Sequence, residues 1–499
     1  MLTLPAMLVS MDLTVLHLAV PAISMDLGPS SSQLLWIVDI YGFVIAGFLI
    51  TMGTLGDRIG RRRLLLIGAA GFGAASVLAA FSVSAEMLIA ARALLGVSGA
   101  TLAPSTVALI RNMFHDPRQR TRAISIWFMS FMTGSAIGPL VGGVLLEFFW
   151  WGAAFLIGVP VMLLLLLVGP SVLPEYRDTA PSRLDLPSTM IALAAVFSGM
   201  YGLKKAAESG LSTWSVLAMA VGVLGCVLFV RRQRTAANPL IDISLFRRRT
   251  VGISLLALTI GAIAIGGVGY LTSQYLQLVL DLTPFEAGLW TVPPLLAGIV
   301  TTMVAPALMK RVRQASVIAG GMVLAALGLA VLALLEDSGE ELVIVIGALV
   351  FLFGGLMPVL ALGVDIVVGA APPERTGAAS AISETTQELG IALGIALLGS
   401  CATFVYRRGM DDVLLHSGER PEVVEAARST LGGAKGVAGE LPADVLAAAG
   451  QAFADGVRVA AALSSVMLVI GAAVAAVALR RTPAEPAAEE NRVESPAKH

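Results

Sequence analysis

Gly53-Thr54-Leu55-Gly56-Asp57-Arg58-Ile59-Gly60-Arg61-Arg62-Arg63 joins two apolar runs, 34–55 and 64–84. Each run is about the 20 residues a helix needs to cross the hydrocarbon core of a bilayer. The glycines let the chain turn tightly between them. The arginines mark that turn as a topogenic loop held on one side of the membrane. The same grammar extends in both directions. Fourteen runs meet or approach spanning length: roughly 1–23, 34–55, 64–84, 87–110, 122–147, 150–172, 187–206, 213–230, 251–280, 286–309, 315–335, 342–370, 379–405 and 456–479. Lipid cannot satisfy open backbone groups, so each is read as a helix. A membrane barrel would show short alternating segments, and none appear. The predicted fold class is an all-α integral membrane protein.

Composition agrees. Of 499 residues only 13% are charged, against about a quarter in soluble domains. The net charge of -1 offers no field that would recruit nucleic acid. Cys226 and Cys401 lie in separate apolar runs, with spacing that suits neither a metal site nor a disulfide framework. No basic stretch precedes the first apolar run, so it is not read as a cleavable signal. A basic segment before Met1 is expected in the natural protein.

Basic residues set the orientation. One set of alternate loops, together with the tail, holds 24 of the 33 Lys and Arg. It includes Arg58, Arg61–Arg63, Arg111, Arg118, Arg120, Arg122, Arg177, Arg183, Arg231, Arg232, Arg234, Arg247–Arg249, Lys310, Arg311, Arg313 and Arg375. With that set cytoplasmic, both termini are cytoplasmic and the protein is expected in the inner (plasma) membrane. The acidic loop around Glu336 to Glu341 then falls outside. Eight basic residues, including Lys204 and Lys205, fall to the other loop set, and Arg92 lies within a span. The segment 406–455 reads as an external hairpin of short helices, and 482–499 as a disordered cytoplasmic tail rich in Pro, Ala and Glu.

The opening motif resembles the cytoplasmic signature of the major facilitator superfamily, with Gly53, Asp57, Arg58, Gly60, Arg61 and Arg62 as its gate residues. Arg92-Ala93-Leu94-Leu95-Gly96-Val97-Ser98-Gly99-Ala100 is similar to that superfamily's helix-4 motif, with Leu95 in place of the usual glutamine. Gly134-Ser135-Ala136-Ile137-Gly138-Pro139-Leu140-Val141-Gly142-Gly143 resembles its antiporter motif, in which small residues permit close helix approach and Pro139 a kink. Met11-Asp12-Leu13-Thr14-Val15 and Leu35-Trp36-Ile37-Val38-Asp39-Ile40-Tyr41 resemble the 14-span drug:proton antiporters, in particular the quaternary-ammonium efflux branch. The likeness covers about residues 8–480. It implies a six-helix bundle over 1–172, two extra spanning helices over 187–230 and a second six-helix bundle over 251–480, with a central chamber and alternating access. It also implies no cofactor other than the proton-motive force, and a monomer.

Two departures matter. Some relatives carry an acid in mid-span 10, whereas Pro293 to Val300 has none. A paired acid of span 13 is Ser383 here, followed by Glu384. The first departure predicts better handling of monovalent than divalent cations.

Proton-coupled export of a cation needs a carboxylate that takes either proton or substrate, and a carboxyl kept from water does so near neutral pH. The intramembrane acids are therefore the site candidates: Glu384 first, then Asp12 and Asp39, with Glu388 one turn beyond Glu384 and Asp365 nearer the cytoplasm. Arg92 is expected to modulate a nearby acid. Trp36, Tyr41, Trp127, Phe131, Tyr270 and Tyr275 offer faces for a flat cation. Trp150 and Trp151 read as an interface belt, Glu147 and Glu286 as helix-end residues, and His17 as a packing or cavity residue.

The predicted activity is export of cationic amphipathic drugs, dyes and quaternary ammonium compounds in exchange for protons. The same fold would also serve a dedicated exporter of a self-made antibiotic or lipid-like metabolite. An enzyme or sensor is disfavoured: there is no Gly-x-x-x-x-Gly-Lys-Ser/Thr loop and no His/Cys cluster.

Overall fold

The computed structural model describes residues 1–114, 116–175, 185–235, 249–335, 339–370, 376–414 and 420–479. Arg177, Arg183, Arg247, Arg248, Arg375 and the tail 482–499 lie outside the described residues. The chain is a succession of helices: α1 (Thr3–Leu27), α2 (Ser31–Ile59), α3 (Arg61–Ala80), α4 (Ala85–Met113), α5 (Pro117–Phe148), α6 (Ala153–Leu156), α7 (Gly158–Val172), α8 (Leu186–Ser209), α9 (Thr213–Thr235), α10 (Arg249–Leu278), α11 (Pro284–Trp290), α12 (Val292–Met309), α13 (Gln314–Ala333), α14 (Glu341–Gly369), α15 (Thr376–Leu414), α16 (Pro421–Ser429), α17 (Leu431–Gly436) and α18 (Ala443–Leu479). Fourteen helical stretches among the described residues are long and apolar enough to cross a membrane.

Local chemistry sets the ends of these helices. Ser30 and Gln33 form a capping box at the start of α2, and Thr283 and Glu286 form one at the start of α11. Ser84 caps α4 and Asp185 caps α8. Pro293 and Pro294, which lack N–H groups, start a new helix after Thr291, so the tenth span is broken into α11 and α12.

Helix pairing repeats between the two halves. In the first half α1 packs on α5, α2 on α4, α3 on α4 and α3 on α7. In the second, α10 packs on α15, α12 on α14, α13 on α14 and α13 on α18. The halves meet through α1 and α10, α2 and α15, and α5 and α11. The close approaches at those seams lie away from the arginine-rich end. Gln277 donates to the Leu18 carbonyl at 3.1 Å. A methyl added to Gly288 would sit 2.4 Å from the Pro139 carbonyl oxygen, and one on Gly143 2.8 Å from that of Pro284. At the same end α17 lies on the tip of α1, where Thr430 and Ser24 hydroxyls are 2.9 Å apart.

Three expectations are corrected. The segment 406–455 is not a separate hairpin of short helices: α15 runs on to Leu414 and α18 begins at Ala443, leaving only α16, α17 and a short 3-10 turn between. Ala-rich sequence that read as a loop helix simply continues the last span. Trp151 is buried and donates to Asp26 at 2.6 Å, so it belongs to the core and not to an interface belt. Trp150 stays half-exposed. Lys204, assigned to a loop, is buried inside α8.

The α8–α9 hairpin rests with α8 against α2 and α15. Its arginine-rich end is clipped by Arg232, which donates to Ser188 Oγ and Asp185 Oδ1, both at 2.9 Å. Partial burial pushes the Asp185 carboxyl up, but hydrogen bonds from Ser188 and Arg232 outweigh it and hold it below the usual carboxylate range.

Candidate functional site

Arg92 of α4 is the centre of the first cluster. Its guanidinium is fully buried, donates to Asp12 Oδ2 of α1 at 2.6 Å and to the Ile37 carbonyl at 3.2 Å. It lies 4.4 Å from the centre of the Tyr41 ring. Gly96 and Gly99 make this possible. A methyl on Gly96 would be 2.9 Å from the Tyr41 carbonyl oxygen, and one on Gly99 3.2 Å from the Tyr41 hydroxyl. The helix-4 motif thus works by letting α2 close onto α4, which stacks Tyr41 on Arg92. Among the described residues, Arg92 Nη2 and the Tyr41 hydroxyl have no hydrogen-bond partner. His17 faces the edge of Tyr270, with ring centres 6.2 Å apart.

Asp39 of α2 forms a second, separate ion pair. Lys204 Nζ of α8 is 2.9 Å from its carboxylate, with both side chains fully buried. The same ammonium sits 3.7 Å over the Trp36 ring. Lys204 is the buried partner of Asp39 that sequence reading missed. Its signal was its place at the end of a helical stripe, Thr189, Leu193, Val196, Phe197, Met200, that turns inward on α8.

Glu384 and Glu388 differ from both. They lie one turn apart on α15. Gly390 and Gly394 pack that helix onto α10, where a methyl on Gly394 would meet the Ile263 carbonyl oxygen at 2.2 Å. This close fit turns Glu388 toward α2, and Ala392, one turn on, reaches Gly42. Among the described residues neither carboxylate is in an ion pair, and Glu388 Oε2 is buried with no hydrogen-bond partner. Glu388 lies within electrostatic reach of Tyr41, and Glu384 within reach of Arg111. Two like charges one turn apart and half-buried between helices are costly together, so the pair is stabilised by any cation that reaches it. Asp365 is not part of this group: it sits exposed on α14.

The two glycine motifs have structural tasks that frame the site. In the first, Gly60 takes φ 109 and joins α2 to α3 directly. Asp57 pairs with Arg61, and Arg62 donates to the Pro170 and Leu173 carbonyls at 3.1 and 3.0 Å, capping the end of α7. In the second, Gly134, Gly138 and Gly142 press α5 onto α1, the helix that carries Asp12, and Pro139 and Gly143 meet α11 of the other half. Of the candidate aromatics, Trp36 and Tyr41 already hold Lys204 and Arg92, while Trp127 is buried and stacked on Phe131. Glu286 serves as a capping residue, and Glu147 is exposed.

Comparison with known proteins agrees with this geometry. The sequence profile described as Major Facilitator Superfamily matches residues 2–395. The multidrug efflux pump LfrA of Mycolicibacterium smegmatis is 43% identical, over 96% of this chain and 95% of its own. The methyl viologen resistance protein SmvA of Salmonella typhimurium is 36% identical over 90% of each chain. A solved bacterial homologue of the human lysosomal transporter Spinster shares the fold, with a TM-score of 0.62 at 18% identity, covering 96% of this chain and 95% of its own. A helical fold of paired halves, a buried Arg92 on the fourth span and relatives aligned almost end to end leave one assignment: the chain belongs to the Major Facilitator Superfamily, in its branch of multi-pass drug efflux transporters.

Proposed function

We propose that this transporter exports lipophilic cations from the cytoplasm in exchange for protons, with Glu384 and Glu388 as the exchanging carboxyls. One observation carries the reading. Of the intramembrane acids, Asp12 and Asp39 already hold a permanent partner in Arg92 and Lys204, whereas the α15 pair holds none among the described residues. A proton and a drug cation then compete for the same two groups. Binding of one excludes the other, which couples their opposite movements.

The arginine-rich end faces the cytoplasm in this reading, with both termini inside and the protein in the inner membrane. The halves touch at the other end, so this state accepts cargo from within. Alternation then breaks the α1–α10, α2–α15 and α5–α11 contacts and closes the arginine-rich side. Asp12 and Arg92 tie α1 to α4 inside the first half, where Arg92 sets the charge seen by neighbouring groups. The relatives named for multidrug efflux and for methyl viologen resistance support a cationic cargo. Because the stretch from Pro293 to Val300 lacks an acid, monovalent cations are the preferred class. Methyl viologen, a dication, is the discriminating probe.

Ethidium efflux from cells or inverted vesicles tests the reading. Uncoupler should stop it, and Glu384→Gln should abolish proton-coupled efflux. Uncoupler-resistant efflux, or full efflux by Glu384→Gln, contradicts it. A second reading, a dedicated exporter of a self-made compound, draws support from a puromycin resistance protein of Streptomyces alboniger that is 33% identical over 80% of each chain. Biosynthetic genes beside this one would favour that reading.

A further inference from the structure

We propose that Lys204 is a positioning residue that pins the α8–α9 hairpin to α2, so that the hairpin travels with the first half and α15 slides past it. Asp39 is then a fixed counter-ion of this pin and takes no part in proton exchange.

Helix α8 occupies a boundary between the halves. It touches α2 of one half and α15 of the other, so it covers the seam that must change during transport. A hairpin bonded equally to both helices would weld the halves together. The two sides of α8 are not equivalent. Toward α2 it makes two buried polar contacts: Lys204 to Asp39 at 2.9 Å, and Thr189 to Thr51, whose hydroxyls are 2.6 Å apart. These pins are separated by about 22 Å along α8, at 1.5 Å per residue. Between them Leu193 fills the notch left by Gly47. Among the described residues the packing toward α15 is an apolar cluster. Val196, Phe197 and Met200 of α8 meet Leu389, Ala392 and Ala396 of α15, with Trp36 and Phe43 of α2 closing the cluster. Directional bonds resist shear, whereas an apolar face without fixed partners permits sliding.

Lys204 suits the role of pin. Its ammonium has an ionic partner and an aromatic face, Trp36, which together fix its direction. The ion pair also accounts for Asp39. A carboxylate whose oxygens both lie 2.9 Å from an ammonium is already neutralised. Removing one member of such a pair leaves an unpaired buried charge, while removing both leaves none. That asymmetry separates a pin from an exchange group.

The inference rests on transport by two alternating halves, and not on proton coupling. It is tested in the full-length transporter with Cys226 and Cys401 replaced by alanine, using ethidium efflux and thermal unfolding in detergent. A disulfide between Thr51→Cys and Thr189→Cys should leave efflux within twofold of the reduced protein. A short bifunctional thiol reagent joining Met200→Cys and Leu393→Cys should lower efflux at least tenfold. Asp39→Asn and Lys204→Gln alone should each lose efflux at least tenfold, and the double variant should recover most of it with the same inhibition by uncoupler. Arrest of transport by the α2–α8 disulfide, normal transport with the α8–α15 bridge, or a double variant as inactive as Asp39→Asn at equal thermal stability overturns the proposal. Absence of ethidium efflux in the unmodified protein would count against the function itself, and so is distinguishable from failure of the pin.

Discussion

Gly134, Gly138 and Gly142 contact α1 at successive turns, yet alanine should not cost the same at each. At Gly134 the new methyl would lie 2.2 Å from the Met7 carbonyl oxygen and 2.3 Å from Ser10 Oγ. The carbonyl is main chain and cannot rotate away, and Ser10 is held by its hydrogen bond to the Phe131 carbonyl at 2.6 Å. Relief therefore requires α1 and α5 to separate by about 1 Å, an overpacking cost of about 1–3 kcal/mol. At Gly138 the first contact is Thr14 Oγ1 at 2.1 Å, nominally shorter. That hydroxyl can turn, at the loss of its bond to the Met11 carbonyl at 3.0 Å, which is worth about 1 kcal/mol. At Gly142 the obstacle is a Val15 methyl at 2.8 Å. Alanine gains about 1 kcal/mol over glycine in helix propensity at every site, so it offsets the clash at 142, roughly balances it at 138 and loses at 134. Thermal unfolding of the purified protein and ethidium efflux should both rank Gly134→Ala as the most damaged and Gly142→Ala near the parent. A ranking by distance alone, with Gly138→Ala worst, or a Gly134→Ala protein as stable as the parent, refutes the argument that the rigidity of the obstacle decides.

Arg92→Met and Asp12→Asn should each destabilise by about 3–5 kcal/mol, because each leaves a buried charge unpaired, while the double variant should lie much closer to the parent. A double-mutant cycle on unfolding checks this, and additive losses would show that the two groups do not depend on each other. The Asp185 carboxyl is held below its usual range, so its contribution is fully present above the unfolded value near pH 4 and fades as pH falls through the lower folded value. The parent's margin over Asp185→Asn should therefore shrink on acidification. Arg232 is partly exposed, which keeps the pair below about 1 kcal/mol; a margin that grows toward acid contradicts the assignment. Gly60→Ala should lower thermal stability by about 1–3 kcal/mol, since φ 109 is strained for any side chain. Unchanged unfolding would show that the turn relaxes freely.

The spanning helices were legible because lipid imposes one rule on every turn of them: about 20 apolar residues, ended by loops whose arginines alternate sides. Where that rule gives no information, the reading failed. It cannot tell an Ala-rich loop helix from the continuation of a span, so 443–455 was separated from α18. Nor does it say which helix faces which. Glu384, Asp12, Asp39 and Arg92 were visible as costly intramembrane charges, but their partners depend on packing. Arg92 reaches Asp12 across α1 and α4, and Asp39 reaches a lysine 165 positions away on α8. Lys204 was hidden by its position near the end of a span, where a long basic side chain normally reaches toward water. Asp365 shows the converse: an acid in an apolar run that ends up exposed.

The exchange of proton for drug at Glu384 and Glu388 can be read directly as protons released when substrate binds. Purified transporter in weakly buffered solution, mixed with ethidium, should acidify the medium, and Glu384→Gln/Glu388→Gln should bind without doing so. Ethidium binding with no acidification by the parent, or undiminished acidification by the double variant, would contradict the account.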